Sequence, residues 1–522
     1  MSNKFVLKGF CLFRNKCYLW LRRKYSRSEK LKILLVFRSL NRTFAFPMMS
    51  NKKSEALLEL IRNGQSMTGG QKLNLIVQLS IPSILAQITS VMMFFIDQAM
   101  VGRISVEAAA ACGLVESSTW LCGSMTGAAS MGFSVQVAHF IGANDFNKAR
   151  DVFRHGLLCT LLFSVLISVV GLCIAGRLPY WLGGGADIAG DATTYFAVFM
   201  LVIPFFQLSS LSGGMLKCSG NMRIPSMMSI IMCIMDVVFN FIFIFIFHLG
   251  VLGVAMGTGL AIIIGSCVQA YYAIFRSKTI ALFRKHKDSS STVSSFLRSS
   301  VFHWDYVRNA LKISLPMAAQ SILMSGAQIV STMIVAPLGN IAIAANTFAI
   351  TAESLCYMPG YGIGEAATTL IGQSMGAGRR ELCKSFARMT VFSGMLVMAL
   401  MGAVMYLLAP QLMALMTPVQ EIVDLGASVL RIEAFAEPMF AASIVCYSVF
   451  VGAGDTLRPA AMNLCSMWLV RLTLAAWLAK DYGLRGVWTA MAIELTFRGI
   501  LFLWRMFRGN WMRGLVHRQT QS

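Results

Sequence analysis

Charge is what this sequence has least of. Only 13% of its 522 residues are Asp, Glu, Lys or Arg, against 56% hydrophobic, whereas a soluble domain carries about 25% charged residues. So little charge cannot cover a water-facing surface over most of the chain, which excludes an ordinary soluble enzyme or binding module. Acids are the scarcer sign, 23 against 45 bases, so each acid inside an apolar stretch stands out. The 13 cysteines form no CxxC pair and the 6 histidines no HExxH, which excludes the common zinc frameworks. The cysteines read instead as reduced, small apolar residues within helices. Without a nucleophile elbow or a phosphate loop, the chain reads as a non-enzyme that needs no cofactor.

What is present is apolar sequence in long runs, such as Leu157–Ile174, Met227–Phe247 and Val391–Leu408. About 20 apolar residues cross a bilayer core as a helix, and repeated runs of that kind imply a helix bundle, because backbone groups in lipid must satisfy one another. Twelve spans are expected, at 78–101, 107–138, 153–175, 194–216, 225–247, 251–275, 313–336, 342–374, 388–409, 427–452, 459–479 and 485–506. The long second and eighth stretches are rich in Gly and Ala, which predicts kinks or close helix packing.

Basic residues orient the bundle. Lys148, Arg150, Lys217, Arg223, Arg276, Arg284, Lys285, Lys287, Arg298, Arg379 and Arg380 fall in the even-numbered loops, and few bases, such as Arg103 and Arg177, fall in the odd ones. The positive-inside rule then puts both termini in the cytoplasm. The net charge of +22 points to an anionic lipid surface as partner rather than nucleic acid. Roughly half of that charge sits in residues 1–47. This leader is either a basic amphipathic segment lying on the membrane or a stretch preceding a true start at Met48 or Met49.

The chain repeats itself. Pro82 and Pro316, Gly142 and Gly376, and Gly220 and Gly454 each stand 234 positions apart within similar surroundings. The expected organisation is therefore the leader 1–47, a first six-span half 48–275, a cytoplasmic linker 276–312, a second half 313–508 and a tail 509–522. An even number of spans per half makes the repeats parallel, a plan that places substrate at the repeat interface.

These markers resemble the multidrug and toxic compound extrusion (MATE) family. The resemblance rests on the pattern from Pro82 through Asp97 to Gly102, on Ala367-Thr368-Thr369-Leu370-Ile371-Gly372-Gln373-Ser374-Met375-Gly376-Ala377, and on Gly452-Ala453-Gly454-Asp455-Thr456, and it covers roughly residues 70–508. It implies a V-shaped, two-lobed bundle of 12 helices that exports amphipathic, often cationic compounds against an inward flow of H⁺ or Na⁺.

An ionisable residue in mid-membrane costs about 2.5–3.5 kcal/mol on insertion scales and is a functional hypothesis by default. Asp97 in the first span and Asp236 in the fifth qualify, and Asn240 lies one turn beyond Asp236 on the same helix face. A carboxylate beside an amide can hold Na⁺ through oxygens or keep a proton in a hydrogen-bonded cluster. The resemblance supports this set, since the DinF-type branch of the family joins a first-span acid to an Asn/Asp pair four apart in the fifth span. Here the order of that pair is exchanged. The NorM-type branch instead uses acids in spans seven and ten, whose positions fall here at Met324 and at Met439 or Phe440. Asp97 and Asp236 map onto Ser331 and Val470 in the second half, with Arg471 adjacent; Glu437 or Glu494 is a candidate to neutralise that Arg, and Glu494 also stands one turn from Arg498.

Pro82 removes a backbone hydrogen bond and is a candidate hinge. His139 is expected to be a solvated or capping histidine at a cytoplasmic end. The 35 Met and 35 Phe residues suit an adaptable surface for organic cations, although most must face lipid or pack between helices. The expectation is thus a monomeric, multi-pass antiporter of the bacterial inner membrane. A lipid or lipid-linked-sugar flippase of the same superfamily is the alternative.

Overall fold

The computed structural model describes residues 51–282 and 303–512, without the side chains of positions 51, 52 and 106. The basic leader 1–47, the loop bases Arg284, Lys285, Lys287 and Arg298, and the end of the tail lie outside the described residues. The packing below belongs to the compact unit Lys53–Ser522.

Among the described residues all regular structure is helical. The elements are α1 (Asn51–Arg62), α2 (Gly69–Val101), α3 (Val106–Gly142), α4 (Phe146–Ile174), a short α5 (Leu178–Trp181), α6 (Ala186–Cys218), α7 (Arg223–Phe241) and α8 (Gly250–Tyr271) in the first half. The second half holds α9 (Trp304–Val335), α10 (Asn340–Gly376), α11 (Arg380–Ala414), α12 (Gln420–Ala434), α13 (Glu437–Gly452), α14 (Leu457–Cys465) and α15 (Leu472–Arg508). Helix starts follow capping chemistry. Thr68 and Gln71 form a reciprocal capping box on α2, and the Ser105 and Asp145 side chains accept from backbone N–H groups in the first turns of α3 and α4.

The burial pattern of α4 is the reverse of a soluble helix. Leu158, Leu162 and Leu166, one turn apart, are 56%, 71% and 60% exposed, while Gly156, Thr160, Ser164 and Ser168 on the opposite face are buried. Large apolar groups point out and small or polar groups point in, and the Ser168 hydroxyl donates to the Met200 carbonyl of α6 at 2.7 Å. In lipid the outer face needs no covering, and small inner residues let neighbouring backbones approach.

Nine helical stretches among the described residues are long and apolar enough to cross a membrane, or ten when the bent pair α12–α13 counts as one span. The two remaining expected spans have physical reasons for standing apart. Helix α3 has the length, but its Gly, Ala, Ser and Thr content dilutes its hydropathy. Leu457–Arg508 is helical throughout in hydrogen bonding but contains a kink at Gly483 (φ 57°, ψ −137°), where two spans join. The tenth span, expected as one rod, is broken by 58° between Ala434 and Glu437. Helix α9 starts at Trp304, ahead of the expected limit at 313, because its first turns continue into polar sequence.

The two halves meet through equivalent helices. Helix α2 packs on α10, and its repeat counterpart α9 packs on α3; α3 and α10 also touch each other. Glycines allow this. A side chain at Gly142 would strike the Gln373 backbone, and one at Gly376 would strike the His139 backbone. The long second and eighth spans are therefore closely packed, as their composition predicts, and run unbroken for 37 residues each. Helix α1 lies across this seam. Its buried Leu58 and Ile61 join a core with Met222 of the first half and Ile371 and Met375 of the second. Its last carbonyls accept from both sides, Leu60 from Arg379 at 3.0 Å and Arg62 from Asn144 at 3.2 Å.

Candidate functional site

Asp97, Asp236 and Asn240 converge. Asp97 comes from α2, and Asp236 and Asn240 from one face of α7. The Asn240 amide donates to Asp97 Oδ1 at 2.9 Å, to Asp236 Oδ1 at 3.3 Å and to Thr258 Oγ1 of α8 at 3.4 Å. An amide has only two hydrogens, so the short bond to Asp97 is the firm one and the longer two compete. The two carboxyls are brought close together by their shared Asn240. Asp236 and Asn240 are fully buried, and Asp236 Oδ2 and Asn240 Oδ1 have no partner. The Asn240 amide nitrogen thus sits among the oxygens of two carboxyls and a hydroxyl, while its own Oδ1 turns toward Gly257; the two neighbouring carboxyls suit a proton, and rotation of the amide would add a third kind of oxygen for a hard cation.

Neighbouring backbone makes this approach possible. Gly257 faces Asn240 so closely that any side chain would collide with its Oδ1. Directly after Asn240, α7 widens into a π-helical turn over Ile242–Ile246, a feature frequent at functional sites. Sequence reasoning missed Thr258 and Gly257, because a Gly-Thr-Gly in an apolar run reads as ordinary helix packing. Pro82 is buried in α2, which continues through it as a single helix. Its missing N–H leaves the Gln78 carbonyl without its helical donor.

The second half differs in kind. Ser331 and Val470 occupy the positions equivalent to Asp97 and Asp236, and Met324, Met439 and Phe440 stand at the positions of the NorM-type acids. Four acids are nevertheless buried there at other positions: Glu353, Glu433, Glu437 and Glu494. Glu494 pairs with Arg498 at 3.3 Å and accepts from Ser466 at 2.5 Å. Arg471 lies near Glu494, Glu353 and Glu433, and its guanidinium reaches the Met491 sulfur. Glu353 escaped sequence reasoning, which concentrated on repeat-equivalent positions.

His139 is buried rather than solvated, and of its two expected roles the capping one remains: its Nε2 lies 2.8 Å from the carbonyl of Gly452, the last residue of α13 in the other half. Between the halves lies a cavity of about 530 Å³, lined by α3, α6, α9 and α10 among others, with Phe206, Met131, Met317 and Tyr447 on its walls. Its two charged lining residues, Lys217 and Glu365, form an ion pair across the halves at 2.6 Å. Sequence reasoning counted Lys217 only as a loop base and passed over Glu365.

The repeat is also a family signature. The MatE family model matches the chain twice, over residues 82–242 and 316–477, the two matches beginning at the paired prolines. The chain belongs to the MatE family. Membership makes it a multi-pass membrane protein of a transporter family. A probable multidrug resistance protein NorM of Thermotoga maritima is 23% identical over 447 residues, covering 84% of this chain and 93% of that protein. An uncharacterized transporter YisQ of Bacillus subtilis is 24% identical over 425 residues, covering 80% and 90%. A crystal structure of MATE in complex with MaD3S superposes with a TM-score of 0.79 at 22% identity, covering 87% of this chain and 98% of that one. At that identity the likeness speaks for the fold, and the MatE fold is all-helical.

Proposed function

We propose that this MatE-family chain is a secondary active exporter of amphipathic, often cationic small molecules, driven by inward flow of H⁺ or Na⁺ through alternating access. The observation that carries this reading is the buried cluster of Asp97, Asp236, Asn240 and Thr258, whose orphaned oxygens suit reversible loading by a proton or Na⁺. The Thermotoga relative, a probable multidrug resistance protein, supports the substrate class. The cavity between the halves supplies room for a drug-sized molecule, since such sites measure about 300–1,000 Å³.

The first-half position of the cluster favours DinF-type coupling, although the curated relatives include proteins named NorM. Asp97 and the candidate hinge Pro82 share α2, so a change in the charge of Asp97 acts on the helix that packs against α10. The positive loops favour an orientation with both termini on the cytoplasmic side of a bacterial inner membrane, and the proposed working unit is a monomer. The flippase alternative is less well supported, because the cavity holds one paired Lys rather than a field of bases suited to anionic headgroups.

The test is transport of ethidium in inverted vesicles under a pH gradient and then a Na⁺ gradient. Uptake driven by one gradient and abolished in a normally folded Asp97→Asn variant supports the antiporter and names the ion. Full activity in Asp97→Asn refutes the coupling site. Absence of wild-type transport under either gradient refutes the drug-export reading in favour of lipid substrates.

A further inference from the structure

Glu365 and Lys217 meet where the two halves meet. Glu365 sits within α10, at a position equivalent in the repeat to Met131, and both residues line the cavity. Its Oε1 is held twice, by Lys217 Nζ at 2.6 Å and by Gln87 Nε2 at 3.1 Å. Its Oε2 is buried with no partner. The partners are unequal in freedom. Lys217 is a flexible ammonium in the last turn of α6, where the helix end supplies carbonyls as an alternative resting place. Glu365 is fixed on a long helix and braced by Gln87. When the pair parts, Lys217 is the member that moves, and what stays in the cavity wall is a carboxylate.

The remaining orphaned polar atom on the cavity wall points the same way. Gln320 Oε1 is buried without a partner, and like Glu365 Oε2 it is an acceptor. The serine hydroxyls of α3 that line the cavity donate to their own helix, Ser124 to Leu121, Ser130 to Thr126 and Ser134 to Ser130. An acceptor-rich wall beside Phe206, Tyr447 and three methionines matches a bulky aromatic cation, because buried acceptors lacking donors favour positive charge and aromatic faces attract it.

We propose that Glu365 is the ionic anchor for an organic cation in the central cavity, and that the bound cation replaces Lys217 in the pair that ties the halves together. Ligand binding and loosening of the seam are then one event. The Lys217 carbonyl accepts from Thr369 of α10 at 3.0 Å, so displacement of Lys217 occurs beside the seam's own hydrogen bonds. This inference rests on the export reading and names the substrate-binding residue within it.

The test uses the full-length protein in nanodiscs and two probes of equal size and opposite charge, tetraphenylphosphonium and tetraphenylborate. Wild type is expected to bind the phosphonium in preference to the borate. Glu365→Gln is expected to weaken phosphonium binding by about tenfold or more, the scale of a lost charge-assisted contact. Lys217→Met removes the competing ammonium and is expected to tighten phosphonium binding by several-fold, a gain that misfolding cannot mimic. Unchanged phosphonium affinity in Glu365→Gln, or weaker phosphonium binding in Lys217→Met, overturns the anchor while leaving drug export standing. Wild type that binds neither ion overturns both the anchor and the export reading.

Discussion

His139 and Gln373 occupy equivalent positions in the two repeats, and each reaches an equivalent carbonyl of the opposite half. His139 Nε2 lies 2.8 Å from the Gly452 carbonyl, and Gln373 Nε2 donates to the Cys218 carbonyl at 2.9 Å. Since a carbonyl only accepts, the His139 Nε2 carries the proton. Cys218 and Gly452 are themselves 234 positions apart, so a pseudo-two-fold pair of hydrogen bonds joins the halves at the ends of α3 and α10.

Removing either bond should loosen the seam. Gln373→Ala is expected to destabilise the closed arrangement by about 1 kcal/mol. Gly376→Ala should cost more, about 1–3 kcal/mol, because its methyl group meets the His139 carbonyl. Distances between spin labels on α3 and α10 are expected to broaden toward longer values in both variants, further in Gly376→Ala.

The coupling cluster should respond in graded fashion. Asp236→Asn is expected to abolish gradient-driven transport, while Thr258→Val, which removes a long 3.4 Å contact, should weaken cation affinity by no more than about fivefold, or about 1 kcal/mol. Gly257→Ala should behave like the stronger variant, since the added methyl displaces Asn240. Vesicle flux at several ion concentrations separates these cases.

The Glu494–Arg498 pair is buried, and breaking one member should be worse than replacing both. Glu494→Gln leaves Arg498 without its carboxylate partner and is expected to cost about 3–5 kcal/mol, whereas the double variant Glu494→Gln with Arg498→Met should recover much of that. Thermal unfolding in detergent reads the difference; equal melting temperatures for the single and double variants would argue against the pairing.

Helix α1 should contribute to the stability of both halves together. Leu58→Ala removes a side chain only 1% exposed and is expected to cost about 2–5 kcal/mol. The expected sign is a lower melting temperature with faster proteolysis in the loops that α1 covers, around Asn144 and Arg379.

Much of the architecture could be read from spacing alone. Apolar runs announced the spans, and paired markers announced the repeat. Asp236 and Asn240 were legible as one helix face because four residues make one turn. Their meeting with Asp97 was expected on chemistry and resemblance, whereas the contribution of Thr258 was not, since nothing local in α8 marks which neighbour it faces. Solvation of His139 does not hold, because the opposite half covers a span end that would otherwise see water; its capping role does, on a helix end of that opposite half. The acid Glu353 and the ion pair of Glu365 with Lys217 were overlooked because their partners lie in distant helices.

By itself the sequence determined the solvent, the number of crossings and the twofold repetition. Each of these follows from hydropathy and period, which are local properties of a helix in lipid. Only the tertiary structure decided which polar groups share a site: the oxygen cluster around Asn240, the acids assembled at new positions in the second half, and the charge pair across the cavity. Those depend on contacts between different helices, as far apart in sequence as Lys217 and Glu365, fixed by helix packing through glycines at Gly142, Gly257 and Gly376, where the absence of a side chain sets how closely two backbones come.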